Sequence, residues 1–189
     1  MATTLEERSN WVAQGSVDAS RRTYASIKTA LDRSAELRRV SYEVFLQGSY
    51  ANATNTRGDS DVDVVVMLTS TFMPETSRLS LSEQQVYESN RIPGTTSAPG
   101  FRAMVGRALH DYYGSARVEQ KSKCIKVQKR DGYVDADVVP AMQHRLLTKY
   151  PSPGAAEYIE GISITPLQGS RIVNYPKEHI KNGQAKNAL

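Results

Sequence analysis

Two aspartates at the start of an apolar strand are the first feature with chemical meaning. Asp61-Val62-Asp63 opens the run 61–68, DVDVVVML, which is rich in valine and has no strand breaker. Because alternate residues of a strand point to the same face, the two carboxylates are expected side by side, with the valines facing a core. Like charges this close are costly unless a cation separates them. The spacing therefore favours a hard divalent ion, Mg²⁺ or alternatively Mn²⁺.

An edge strand with a solvated face is the alternative explanation for this pair, and three features weigh against it. The strand is as apolar as a buried one, aspartate is rare in strands, and a second pair, Asp135 and Asp137, precedes Val138-Val139. If the strands over 61–68 and 133–139 are neighbours, a third carboxylate meets the first two. Three carboxylates from two strands suit a two-metal site that clamps the oxygens of a phosphoryl displacement.

The sequence also offers groups that could contact a phosphate. Gly48-Ser49 ends a short apolar run and would present backbone N–H groups and a hydroxyl. The motif is weak by itself and gains weight from lying between two predicted strands, shortly before Asp61. Three lysines, Lys121, Lys123 and Lys126, could reach a phosphate or lie on a solvated strand face, and both alternatives stay open.

The surrounding pattern predicts an α/β chain of the α+β type. Helical periodicity indicates a helix over 16–39. Helices are also expected over 101–113 and, from a weak pattern, over 81–89. Strands are expected over 42–47, 61–68, 116–128 and 133–139, with another over 143–149. Asp131-Gly132 is a hairpin signal between two of these strands. Residues 69–100 are typical of a surface insertion, and Pro and Gly break the chain into short pieces from 151 onward.

Composition limits the remaining classes of protein. The chain has 189 residues, a net charge of +4 and one cysteine, which excludes an internal disulfide framework and a zinc site made of a cysteine cluster. No signal-peptide h-region and no apolar stretch of membrane-spanning length is visible, so a cytoplasmic protein is expected. The basic residues are dispersed, which gives little support to a dedicated nucleic-acid surface.

Two stretches carry a resemblance to a known superfamily. The runs 46–50, LQGSY, and 59–66, DSDVDVVV, resemble the signature of polymerase-β-like nucleotidyltransferases: a hydrophobic residue, Gly, Gly or Ser, about ten residues, then Asp-x-Asp. The run 134–141, VDADVVPA, resembles the third-carboxylate strand of one group within it. That group is the bacterial cGAS/DncV-like nucleotidyltransferases (CD-NTases), which make cyclic oligonucleotide signals in antiphage defence.

The resemblance implies a fold and a set of roles. The fold would be a mixed, mainly antiparallel sheet flanked by helices, including a long N-terminal helix. The triphosphate would be contacted by Gln47, Gly48 and Ser49, and the Mg²⁺ ions would be held by Asp61, Asp63 and Asp137. Asp137 would also help deprotonate the attacking hydroxyl. Asp135 shares a face with Asp137 and remains the alternative third ligand.

The same resemblance predicts the domain organisation and the partners. Residues 1–170 would form the catalytic lobe, and residues 171–189 would begin a linker to a C-terminal helical lobe that this chain lacks. The expected substrates are nucleoside triphosphates, and regulatory or effector proteins are further expected partners. Neither a membrane nor, as main substrate, a nucleic acid is expected.

Three other functions stay open from the sequence. The first is nucleotidyl transfer to another acceptor, such as an antibiotic, a protein side chain or an RNA 3′ end. The second is a catalytically weak nucleotide-binding fragment, because the helical lobe is expected to complete the site. The third is a nucleic-acid binder that uses the net positive charge.

Overall fold

A computed structural model describes residues 5–47 and 61–176, of which 5–16 are described through the backbone alone. Gly48, Ser49, Asp59 and the tail from 177 onward lie outside the described residues. The described part consists of three α-helices, seven strands and short 3₁₀ turns. In chain order, the helices and strands are α1 (Leu5–Arg33), β1 (Tyr42–Gln47), β2 (Val62–Glu75), α2 (Leu81–Ser89), α3 (Ala98–Tyr113), β3 (Val118–Gln120), β4 (Ile125–Val127), β5 (Ala136–Lys149), β6 (Glu157–Ile164) and β7 (Ile172–Asn174).

The helices follow local capping chemistry. The Ser80 hydroxyl accepts the backbone N–H of Glu83, and the Glu83 carboxylate accepts the backbone N–H of Ser80, so α2 begins with a capping box. The Ser97 side chain caps α3, with a proline in its first turn, so this helix begins three residues before the predicted start. The predicted helix over 16–39 is wrong at both ends: α1 begins at Leu5 and stops at Arg33, before a 3₁₀ turn over Leu37–Arg39.

The strands form one mixed sheet in the order β1-β2-β5-β4-β3. Strands β2 and β5 are parallel, and every other described pair is antiparallel. Beyond β4, the far half of β5 pairs with β6, which pairs with β7. The predicted mixed, mainly antiparallel sheet with flanking helices is therefore confirmed.

Strand β5 differs from the prediction of two strands over 133–139 and 143–149, because it is continuous from Ala136 to Lys149. The last β5 residue that pairs with β4 is Val138, and the first that pairs with β6 is Met142. Pro140 lies in the interval where β5 changes partner, so its missing N–H costs no bond to either of these strands.

Three further strand predictions need correction. The stretch 116–128 forms two short antiparallel strands, β3 and β4. The proposed insertion over 69–100 is wrong at its start, because β2 continues to Glu75 after a register shift between Leu68 and Phe72. The short pieces expected after 151 include β6 and β7.

Helices α1 and α3 cover one face of the sheet. Fully buried Ile27 and Leu31 of α1 and Phe101 of α3 pack with Val64 and Val66 of β2 in one cluster. This face accounts for the alternation of the 61–68 run, since its valines at even positions point toward the helices. Among the described residues, none of the helices is long and apolar enough to cross a membrane.

Candidate active site

A row of polar side chains crosses the sheet on the face away from α1 and α3. Asp63 of β2 is the register partner of Gln47 on β1 and of Asp137 on β5. Asp137 is in turn the partner of Lys126 on β4, which pairs with Glu119 on β3. Because register partners project to the same face, five strands contribute one polar residue each to a continuous line.

A second pair of carboxylates lies one alternation step before this row. Asp61 precedes β2, Asp135 precedes β5, and the backbone N–H of Val62 donates to the Asp135 carbonyl at 2.9 Å. The Lys126 ammonium bridges the pair, with Nζ 3.0 Å from Asp61 Oδ2 and 3.4 Å from Asp135 Oδ2. Four carboxylates and one ammonium therefore gather where β2, β5 and β4 meet.

The charge on Asp63 is poorly compensated in this arrangement. Burial raises the pKa of its carboxyl above the ordinary value, and the negative charges of Asp137 and Asp61 raise that pKa further. A carboxylate in this position is stabilised by a nearby cation. This environment agrees with the prediction that a cation binds these carboxylates, which stays a prediction.

The two candidates for the third carboxylate have different partners. Asp135 Oδ1 accepts the backbone N–H of Lys129 at 2.6 Å, and its other oxygen faces Lys126. Asp135 thus holds the loop between β4 and β5. Asp137 lies directly opposite Asp63 and has no such backbone partner among the described contacts. This difference favours Asp137 as the third ligand, and the assignment stays a prediction.

Cys124 contacts the site, a role that the sequence analysis did not assign to it. The thiol is half-buried and hydrogen-bonds with Asp137; burial, followed by the Asp137 charge and this bond, raises the pKa of the thiol to about 11. The protonated thiol therefore donates to the Asp137 carboxylate near neutral pH. The signal that could have found it is alternation, because Cys124 and Lys126 flank Ile125, whose side chain lies in the core.

The turn that carries Cys124 is anchored by a buried arginine of α3. Arg102 is 7% exposed, and its guanidinium donates to the carbonyls of Ser122, Lys121 and Cys124 and to Oε1 of Gln120. These acceptors are all neutral. Arg102 therefore fixes the backbone that presents Cys124 and Lys126 to the carboxylates.

The predicted ligands fit a hard divalent ion by donor type, since they offer carboxylate oxygens only. In the described part of the chain, no three His, Cys, Asp or Glu side chains are arranged to hold a metal as they stand. The Lys126 ammonium contacts Asp61 in this arrangement. Of the predicted phosphate-binding residues, Gln47 ends β1 opposite Asp63, whereas Gly48 and Ser49 lie outside the described residues.

An Asp-x-Asp strand paired in parallel with a second aspartate-bearing strand, in a mixed sheet backed by helices, is the arrangement expected of a nucleotidyltransferase. Residues 27–151 match the family model described as "Nucleotidyltransferase domain", which covers more than half of the chain. The chain belongs to this family. Nucleotidyltransferases related to it generally use divalent metal ions.

The relatives within the family are cyclic nucleotide synthases, which confirms the resemblance to the CD-NTase group. The chain is 42% identical over 180 residues to the cyclic UMP-AMP synthase of Rhodothermus marinus, covering 94% of this chain and 59% of that protein. It is 35% identical over 181 residues to the cyclic nucleotide synthase CdnE01 of Staphylococcus haemolyticus, covering 94% of this chain and 60% of that protein. The chain thus spans about 60% of the length of these relatives.

A solved structure agrees with these sequence matches. The Rhodothermus marinus CdnE c-UMP-AMP synthase, solved with Apcpp and Upnpp, superposes with a TM-score of 0.78 at 37% identity, covering 95% of this chain and 60% of that one. The Elizabethkingia meningoseptica CdnE cyclic dinucleotide synthase shares the fold, with a TM-score of 0.64, and covers 95% of this chain and 59% of that one. The predicted polymerase-β-like architecture is therefore confirmed.

Proposed function

We propose that this chain is the catalytic part of an Mg²⁺-dependent nucleotidyltransferase that joins nucleoside triphosphates into a cyclic di- or oligonucleotide signal, acting in bacterial antiphage defence. The observation that carries the proposal is the placement of Asp63 beside Asp137 on parallel strands, with Asp61 on the same face. The cyclic nucleotide synthases among its relatives support the choice of product class.

The chain's own residues suggest how the transfer would proceed. Asp61, Asp63 and Asp137 would hold the metal, which would neutralise charge on the phosphoryl oxygens and acidify the attacking hydroxyl. Asp137 would orient a ribose hydroxyl and take its proton as that oxygen attacks the α-phosphorus in line. The bond from the α-phosphorus to the bridging oxygen breaks, and pyrophosphate leaves. A second transfer within the linear product would close the ring.

The remaining parts of the site are also proposals. Gln47, Gly48 and Ser49 would contact the triphosphate at the end of β1. Residues 1–170 would be the catalytic lobe and 171–189 the start of a linker, although Ile172–Asn174 also form the edge strand β7. A C-terminal helical lobe would complete the nucleotide pocket, consistent with the share of the relatives that this chain spans. The cytoplasmic location expected from the sequence stays a prediction.

Incubation of the chain with labelled nucleoside triphosphates and Mg²⁺, with no added acceptor, tests this function. A phosphatase-resistant product is expected, and it should disappear in Asp61→Asn and Asp63→Asn. Asp111→Asn is the matched control, because Asp111 is an exposed aspartate of α3. Full nucleotide incorporation by the two site variants would overturn the proposal.

A weak nucleotide-binding fragment is the second candidate function, favoured by the length that the chain shares with its relatives. Calorimetric titration of Mg²⁺ and ATP separates it from the first. Tight binding with turnover supports the synthase, whereas weak binding without turnover supports the fragment. A product formed only when an antibiotic, protein or RNA is added would indicate a different acceptor.

A further inference from the structure

We propose that Lys126 is a displaceable counterion of the active site: its ammonium neutralises Asp61 and Asp135, and it moves to the phosphate oxygens of the incoming nucleotide when a divalent ion takes its place on Asp61. This inference rests on the proposed function and adds to it a residue that binds substrate. It also orders the events at the site, because the Lys126 ammonium moves to the phosphate when the divalent ion binds Asp61.

The position of Lys126 is the first argument. It is the register partner of Asp137, so its side chain leaves β4 on the carboxylate face, and its Nζ lies 3.0 Å from Asp61 and 3.4 Å from Asp135. An ammonium at these distances occupies space that a metal ion on Asp61 would need. The two cations therefore compete for the same carboxylate group.

The charge balance is the second argument. Within the described residues, Lys126 is the ion-pair partner of two of the four carboxylates, and Asp63 and Asp137 have none. The four carboxylates and the single ammonium together carry a net charge near −3. A divalent ion is attracted to this charge more strongly than the ammonium is, so it is favoured in the place of the ammonium. A triphosphate arriving with the metal brings new negative charge to the same place, and an ammonium released there gains a partner.

The mobility of the lysine is the third argument. Its side chain is 27% exposed, so the ammonium lies at the rim of the site and can swing on four methylene groups without opening the core. The neighbouring backbone is held in place, because Arg102 fixes the turn before β4. The lysine can therefore change partners while its strand stays fixed.

Calorimetry on the full chain tests the exchange, with Mg²⁺ alone and then Mg²⁺ with a non-hydrolysable ATP analogue. Lys126→Met is expected to bind Mg²⁺ about threefold more tightly, because the competing ammonium is gone. The same variant should bind the Mg²⁺-analogue about tenfold more weakly, because a charge-assisted contact to phosphate is lost. Lys126→Arg should restore most of the analogue affinity.

Lys149→Met is the matched control, since Lys149 makes an exposed ion pair with Glu157 at the other end of β5. It should change neither affinity. If Lys126→Met does not fold, as judged by circular dichroism, Lys126→Gln is measured in its place with the same expectations. A purely structural role for Lys126 predicts weaker binding of both ligands together with a lower melting temperature, and that result overturns the proposal.

The two proposals fail differently. If wild-type protein binds the Mg²⁺-analogue and Lys126→Met binds it equally well, Lys126 has no role on phosphate, while the proposed function stands. If the wild-type chain binds no Mg²⁺-nucleotide, the proposed function falls, and the role of Lys126 falls with it.

Discussion

Asp63 and Asp137 lie directly opposite one another on the parallel strands β2 and β5, and the charge of Asp137 raises the pKa of the Asp63 carboxyl. Two like charges are thus built into the middle of a sheet whose other face is a packed core. Packing of the core does not require charged residues at these two positions. Repulsion that a fold keeps without a packing reason is typical of side chains arranged for a ligand.

The repulsion predicts an unusual dependence of stability on pH. The pKa of the Asp63 carboxyl is higher in the folded chain than in the unfolded one, so the folded state holds the carboxyl proton more tightly. The contribution of Asp63 to the free energy of unfolding therefore falls as pH rises above about 4. Asp63→Asn should therefore melt at a higher temperature than wild type at pH 7 without divalent ions. The difference should shrink toward acid pH. Thermal melts across this pH range check it.

Added Mg²⁺ gives the complementary control for Asp63. The ion should raise the melting temperature of wild-type protein more than that of Asp63→Asn, because ligand binding stabilises the state that binds it. A wild-type protein that is more stable than the variant at pH 7 in the presence of a chelator would contradict the electrostatic argument.

Nucleotide incorporation by two aspartate variants decides the third ligand. Asp137→Asn should reduce incorporation by about a thousandfold or more, the scale of losing a charged group that acts on the transition state. Asp135→Asn should retain much more activity, since one Asp135 oxygen holds the backbone N–H of Lys129 and an asparagine oxygen can accept the same bond. Equal losses in the two variants would contradict this assignment.

Cys124 should react slowly with alkylating reagents. With the pKa of the thiol raised to about 11, the thiolate population at pH 8 is roughly two orders of magnitude below that of a free cysteine. The rate of iodoacetamide labelling, followed by mass spectrometry against pH, measures this. Asp137→Asn should speed the labelling because a negative charge beside the thiol is removed. Labelling of wild type at the rate of a free thiol would show that the contact is absent in solution.

Arg102 should be important for stability although it forms no ion pair with a carboxylate among its described contacts. Arg102→Met removes the hydrogen bonds that its guanidinium donates to the β3–β4 turn and takes from the Lys121 carbonyl its described donor, and we expect a loss of about 3 kcal/mol in the free energy of unfolding, measured by urea denaturation. Arg102→Lys should rescue little, because one ammonium cannot match the planar array of donors.

Arg107→Met is the control for Arg102, since Arg107 lies on the same helix and pairs with Glu36 on the surface. Its unfolding midpoint should move little. If the two variants lose the same free energy of unfolding, the buried hydrogen bonds of Arg102 stabilise the fold no more than the surface ion pair of Arg107 does.

Sequence patterns predicted the elements whose signal is local. The bounds of β1 match the prediction, and the start of β2 was predicted within one residue, because β-branched residues without a breaker specify strands strongly. The helix α2 was predicted with its observed bounds, and its capping box accounts for the start. The face on which Asp63 projects followed from alternation alone.

Other elements depend on partners that a sequence window does not contain. Pro140 indicates a strand break, yet β5 runs through it because the strand changes neighbour at that point. Strands β6 and β7 carry weak patterns and are specified by pairing with β5 and with each other. The contacts of Cys124 and Lys126 with the carboxylates likewise require the order of strands in the sheet, which the sequence patterns did not supply.

The parallel pairing of β2 with β5 also has a consequence for how the chain folds. Parallel neighbours cannot be joined by a tight turn, so α2, α3, β3 and β4 all lie between the two strands in the sequence. The carboxylates of β2 and β5 therefore meet only through a pairing between segments far apart in the sequence, which is a slow class of folding event. A form of the chain without β5 therefore lacks Asp137 and the pairing that brings this carboxylate beside Asp63.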